Sequence, residues 1–224
     1  MGVLLMKRCM IHGFLFLLLA LGAATTFSSE SDNTVKMEKK DIPAGEEVAV
    51  LQTTKGDIVL RFFPDVAPKH VENFKKLVKS KFYDGTKFHR TIPKFMIQGG
   101  CPKTKEEGQE RLWGTGNPGW TVKAEFNKKP HVKGTLSMAR SSHPDSAGSQ
   151  FFICHARASF LDGKYTVFGE TVSGLDVVDK IVTAPTIQDG RENSRPKNPV
   201  EIKKAYLTSW EQYLKDAEKR KLER

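Results

Sequence analysis

The chain has 224 residues, 38% of them hydrophobic, and a formal net charge of +10. That length supports one domain with a real core plus short extensions, and it excludes two large domains. So basic a balance suits nucleic acid or anionic surfaces as partners. The basic residues are dispersed, however, and no five-residue block is purely basic, so the charge reads as a solvated surface and no nucleic-acid partner is expected.

Residues 1–24 read as a secretory signal peptide. Lys7 and Arg8 form a positive head, and an apolar run from Cys9 to Ala24 follows, broken only by His12 and Gly13. Gly22, Ala23 and Ala24 supply a small-residue cleavage region. A membrane anchor is the alternative, but the run is shorter than the ~20 apolar residues a spanning helix needs. No stable membrane insertion is therefore expected after signal removal, which lowers the net charge by two, to +8. The implied destination is the secretory pathway, a periplasm or the exterior, where disulfides are permitted. The terminal Lys221-Leu222-Glu223-Arg224 is not a KDEL-type retrieval signal. Cys101 and Cys154 remain after cleavage, and Cys154 ends the apolar run Phe151-Phe152-Ile153, which favours a core thiol over a bridge.

Residues 25–46 are Ser-, Lys- and Glu-rich and read as a flexible linker, followed by a folded domain over 47–208. Val48–Leu51 and Ile58–Phe62 flank Lys55-Gly56-Asp57, a strand–turn–strand signal. After Pro68, Val71, Phe74, Leu77 and Val78 recur at helical spacing, which predicts an amphipathic helix over about residues 67–79. Short strands are predicted at Lys87–Arg90, Phe95–Gln98, Thr121–Phe126, Thr135–Ala139, Gln150–Cys154 and Thr166–Glu170, punctuated by glycines. Leu175, Val178, Ile181 and Val182 suggest a second helix, and Glu201–Leu207 a last strand. Many short strands with Gly/Pro punctuation argue for a β-barrel or sandwich. In the tail, residues 209–224, Trp210, Tyr213, Leu214 and Ala217 make an apolar stripe on a charged helix. It either docks on the domain or contacts a partner; docking is the preferred reading.

Three blocks carry a resemblance. Phe88-His89-Arg90-Thr91-Ile92-Pro93-Lys94-Phe95-Met96-Ile97-Gln98-Gly99-Gly100 is very similar to the cyclophilin signature. Gly134–Ala139 with Gly148–Ile153, and then Phe160–Tyr165 with Val167–Gly169, agree with that family in order and spacing. The likeness covers about Val48 to Leu207. It implies a mainly β fold, a closed eight-stranded antiparallel barrel capped by two α-helices, here with the C-terminal helical extension. It also implies peptidyl-prolyl cis–trans isomerase activity in a monomer, with proline-containing polypeptides as substrates and no cofactor or metal.

By the same resemblance Arg90 hydrogen-bonds the prolyl nitrogen of the substrate, with Phe95 and Gln98 as its catalytic companions. Met96, Phe152 and Leu161 form an apolar slot for the proline ring, with Phe160 and Tyr165 at its wall and rim. Ala139 and Arg140 match the edge that grips the residue before proline, Gln150 borders the groove, and Gly114 belongs to a glycine-rich loop beside the pocket. Taken singly, Arg90 would be a surface ion-pair partner and the apolar residues core; they are credible as a set.

The sequence departs from the family at Phe160, where many members carry tryptophan, at Tyr165, where many carry histidine, and at Arg140, where asparagine is common. Loss of an indole N–H implies weakened binding of cyclosporin, the family's cyclic inhibitor. A binding module or chaperone with incidental turnover is the competing function, and the intact Arg90 speaks against it. Other motifs fare worse. Gly114–Gly119 fits GxGxxG but follows polar residues and contains Pro118, contrary to a dinucleotide site. The histidines lack HxxxH or HExxH spacing, and Ser149 with His143 and Asp145 has no GxSxG elbow, so these read as turn residues.

Overall fold

The computed structural model describes residues 42–189 and 192–223. The signal peptide assigned to residues 1–24, and the linker up to residue 41, lie outside the described residues. Among those that are described, no helix is long and apolar enough to cross a membrane.

The chain begins with two antiparallel strands, β1 (Glu47–Thr53) and β2 (Gly56–Phe62), joined across the Lys55-Gly56 turn that the sequence predicts. Pro68 opens helix α1 (Pro68–Lys79), with His70, Val71, Phe74, Leu77 and Val78 buried. Ala67 at its N-cap has no side-chain acceptor. Glu125 takes that place from a distant loop, accepting the Lys69 and His70 main-chain N–H groups at 3.1 and 3.0 Å. Next come β3 (Arg90–Ile92), β4 (Met96–Gly99), β5 (Thr135–Met138), β6 (Phe151–Cys154) and β7 (Val167–Ser173). Gly174, at φ 89°, starts α2 (Leu175–Val182); a Cβ there would lie 2.1 Å from the Asp57 carbonyl oxygen, so only glycine fits. A separate hairpin follows, β8 (Thr186–Asp189) and β9 (Glu192–Pro196), and then β10 (Ile202–Ser209) and α3 (Trp210–Leu222).

Eight strands make one curled antiparallel sheet in the order β10-β1-β2-β7-β5-β6-β4-β3. The expected closed barrel is corrected to a half-barrel: β10 and β3 are edges with no ladder between them. The segments leading into them meet at a single bridge between Lys87 and Glu201, with the Phe88 N–H to Val200 O and Ile202 N–H to Thr86 O bonds, and at the Gly85 N–H to Ile202 O bond. The reason is local. The segment facing β10 has just left the turns at 80–85, where Lys81 takes φ 58°, and it is extended too briefly to build a strand. For the same reason the strand expected at Lys87–Arg90 starts only at Arg90.

Thr121–Phe126 is likewise not a strand. Val122 makes one bridge to Ala147, while the Ala124 and Glu125 N–H groups bond the side chains of Asp145 and Thr166. Side-chain acceptors replace the neighbouring strand that alternation alone would suggest.

The concave face of the sheet, with α1 and α2 against it, encloses the main core. Phe74 sits at its centre, its ring centroid 4.9 Å from that of Tyr83, 5.4 Å from Phe151 and 5.5 Å from Phe168. Ala49, Leu51, Ile58 and Leu60 point into this core. The alternate residues Val48, Val50 and Val59 point the other way and are covered by Trp210 and Tyr213 of α3. Burial on both faces explains why Val48–Leu51 reads as a continuous apolar run rather than an alternating one. Ser209 caps α3 by accepting the Gln212 N–H, and the Trp210 and Tyr213 rings stack at 5.7 Å. The tail helix is therefore docked on the sheet. Trp210→Ala is expected to lower the unfolding free energy by about 3 kcal/mol, read as a fall in the urea midpoint at constant m-value. An unshifted midpoint would mean that α3 covers the sheet without stabilising it.

Candidate active site

Strands β3, β4, β6 and β5 share one register. Arg90 stands opposite Gln98, Gln98 opposite Phe152, and Phe152 opposite Ser137. Partners in register project from the same face about 4.8 Å apart, so these residues form one row across the convex side. Their sequence neighbours Thr91, Ile97 and Ile153 are fully buried on the opposite face. A second row, Ile92, Met96 and Cys154, runs beside the first. Between the rows and the turn at Ser159–Leu161 lies a pocket of about 130 Å³.

Arg90, Phe95, Met96, Gln98, Ala139, Arg140, Phe152, Leu161 and Tyr165 line this pocket. Met96, Phe152 and Leu161 are buried and make an apolar floor. Tyr165 meets Phe152 edge-on at 5.9 Å, and the Arg90 guanidinium lies 5.8 Å from the Phe95 ring centre. Phe160 is the exception among the expected pocket residues. It is 62% exposed and outside the lining, its ring 5.3 Å from Phe95 on the rim.

Gly114 and Gln150 face a second, wider groove of about 290 Å³, which shares Gln98, Ala139 and Arg140 with the pocket. A polar chain ties the two together. Arg90 Nη1 approaches Gln98 Oε1 at 3.5 Å, Gln98 Nε2 donates to Gln150 Oε1 at 3.0 Å, and Gln150 Nε2 donates to the Gly114 and Gly116 carbonyls at 2.8 Å. The Gly114–Gly119 motif is thus a loop held by Gln150, with no helix after it. Ser149 is buried and donates to the Gly100 carbonyl, whereas His143 accepts the Asp145 N–H; neither reaches the other as a hydrolase would require.

Arg140 sits at the junction of pocket and groove. Its guanidinium donates to the main-chain carbonyls of Ser141, Ser142 and Lys164 and lies 4.5 Å from the Tyr165 ring centre. Among the described residues, no carboxylate lies within ion-pair range of Arg140. Arg90 differs. Its Nε and Nη2 donate to Glu192 Oε2 and Oε1 at 2.7 and 2.8 Å. Glu192 escaped the sequence reading because Thr186–Pro196 is polar and lacks alternation. The Asp189-Gly190 dipeptide, a hairpin turn signal, was the clue available there.

Beneath the floor, His131 stacks on Phe152 at 5.9 Å and 15°. Its Nδ1 lies 3.0 Å from Asp162 Oδ1 and its Nε2 3.0 Å from Ser137 Oγ. The Asp–His–Ser order is that of a hydrolytic triad, but His131 and Ser137 are fully buried and no substrate reaches them. Burial lowers the His131 pKa, so the ring braces Phe152 as a neutral group. The Arg157 guanidinium and the His131 N–H hold the Asp162 carboxyl well below the usual range. Cys154, behind Met96, is a free thiol whose pKa burial pushes up to about 12, so it is no nucleophile. Cys101 is also free and buried; its sulfur accepts the Gly114 N–H at 3.3 Å.

The match to a protein-family model described as cyclophilin type peptidyl-prolyl cis–trans isomerase spans residues 48–207. The chain is 43% identical over 197 residues to a probable peptidyl-prolyl cis–trans isomerase of Brucella abortus, covering 86% of this chain and 91% of that one. It is 50% identical over 149 residues to a peptidyl-prolyl cis–trans isomerase of Synechococcus elongatus, covering 63% and 97% of the two chains. Among solved structures, a cyclophilin-type isomerase of Cryptosporidium parvum, crystallised in the presence of the dipeptide Ala-Pro, superposes with a TM-score of 0.64 at 30% identity. That match covers 72% of this chain and 99% of the other. The half-barrel, its apolar pocket and the likeness from β1 to β10 lead to one assignment: this chain belongs to the cyclophilin family and is a peptidyl-prolyl cis–trans isomerase.

Proposed function

We propose that the chain accelerates rotation about X-Pro bonds in exported polypeptides without a covalent step, with Arg90 as the donor to the prolyl nitrogen. Amide resonance gives the bond a barrier of about 18–20 kcal/mol. At the twisted transition state that resonance is lost, and the nitrogen becomes pyramidal and regains a lone pair. A donor aimed at it binds the transition state better than either planar ground state. The observation that carries this reading is the shared register that sets the Arg90 fork beside an apolar pocket floored by Met96, Phe152 and Leu161.

Gln98, bonded to both neighbours in the polar chain, holds Arg90 on one side and the groove wall on the other. Phe95 walls the pocket on the guanidinium side. The proline ring occupies the pocket, and a flanking residue passes Ala139 and Arg140 into the groove. The Ala-Pro dipeptide supplied to the Cryptosporidium relative is the smallest ligand of that shape. The signal-like residues 1–24 are the basis for assigning exported clients.

Three outcomes test this reading. Arg90→Ala is expected to lower kcat/KM by about two to three orders of magnitude in a proline-isomer exchange assay, while peptide binding persists. Unchanged turnover would remove Arg90 from this role. Because no carboxylate among the described residues neutralises the Arg140 charge, wild type should favour peptides with Glu over Lys beside proline by about threefold to tenfold. Arg140→Asn should abolish that preference while sparing Ala-Pro peptides. Phe160→Trp should increase inhibition by cyclosporin, with no gain in sensitivity counting against Phe160 as the cause of resistance.

A further inference from the structure

We propose that Glu192, on the β8–β9 hairpin, is a positioning residue that clamps the Arg90 guanidinium in its working orientation. The inference rests on the isomerase reading of Arg90 given above. A guanidinium has two usable edges in its plane, and Glu192 occupies one of them with the bidentate pair to Nε and Nη2 at 2.7 and 2.8 Å. The remaining nitrogen, Nη1, is left facing Gln98 and Met96 on the pocket side. A long arginine side chain that is one-third exposed otherwise samples many rotamers. Two parallel bonds to one carboxylate remove that freedom and leave Nη1 on the pocket side, where its contacts are the long ones to Gln98 Oε1 at 3.5 Å and Met96 Sδ at 4.0 Å.

The clamp has its own anchorage. Ser194, next to the Glu192–Asn193 step, is buried and fixes the hairpin strand beside the carboxylate. Arg195 donates to the Glu110 carbonyl at 3.3 Å, and the Lys197 N–H bonds the Pro185 carbonyl at 2.8 Å, closing the base of the hairpin. The hairpin thus rests on β3 and on the loop at Glu110. The Arg90 hydrogen bonds hold the Glu192 carboxyl below its ordinary range, so it is ionised at neutral pH. Both side chains are substantially solvent-accessible, and exposed ion pairs contribute little to stability. Orientation is what the pair supplies.

A carboxylate on Arg90 could also act in the opposite sense, by neutralising the charge and competing with substrate. Sign separates the two. A positioning clamp requires that Glu192→Ala lower kcat/KM by about tenfold, mainly through kcat, and that Glu192→Gln, which keeps one acceptor oxygen, recover part of the loss. In an Arg90→Ala background, Glu192→Ala should add nothing, because its effect passes through the missing guanidinium. Independently of turnover, the Arg90 Nε–H resonance should be resolved and exchange-protected in wild type and lose protection in Glu192→Ala. An unchanged or faster rate for Glu192→Ala with a wild-type melting midpoint, an equal loss in the Arg90→Ala background, or an unaltered Nε–H resonance would each overturn the clamp. If Arg90→Ala itself leaves exchange intact, the role of Arg90 fails instead, and the resonance still decides whether Glu192 orders it.

Discussion

Arg90, Gln98 and Phe152 stand in line because three short antiparallel strands share one register, and everything functional in the molecule is arranged around that line. The side-chain period of a strand is two, so a slip of one residue between β3 and β4 would send Arg90 into the core and bring Thr91 out, breaking the line with Gln98 and Phe152. The inner face supplies the penalty that prevents it, since Thr91, Ile97 and Ile153 pack against a fully buried core. A polar guanidinium and an apolar pocket are thereby held on the same surface by residues that never meet substrate. His131 strengthens the arrangement from below, as a neutral ring pressed against Phe152.

Much of this was legible in the chain. The turn between β1 and β2, the amphipathic stripe of α1 and the apolar period of α2 are local patterns with local causes, and they fall where periodicity puts them. The family resemblance named twelve site residues, and the structure brings nine of them into one lining, with Gly114 and Gln150 in the adjoining groove. Phe160 stands on the rim beside Phe95, on an exposed 3-10 turn outside that lining.

What could not be read depends on contacts between distant segments. Thr121–Phe126 alternates like a strand, yet Asp145 and Thr166 satisfy its backbone, and no local pattern reveals acceptors supplied from elsewhere in the fold. The open seam has the same character: β3 and β10 fail to zip because of turns before β3, not because of either strand's composition. Glu192 lies in a polar hairpin that buries little apolar surface beyond Pro196. Its link to Arg90 spans most of the domain in sequence while amounting to two hydrogen bonds in space.

The pairing of β1 with β10 has a consequence for the order in which the domain can be built. Among the described strands, the first to be made, β1, is hydrogen-bonded on one edge by the last, β10, from Glu47 opposite Ser209 to Thr53 opposite Ile202. Its outer face is covered by α3, which is made later still. Until β10 and α3 are synthesised, β1 therefore keeps an exposed edge and an exposed valine face, both hazards for self-association. Contacts so far apart also slow the closing step. A chain of the isomerase family thus completes its own sheet only once β10 and α3 have been made.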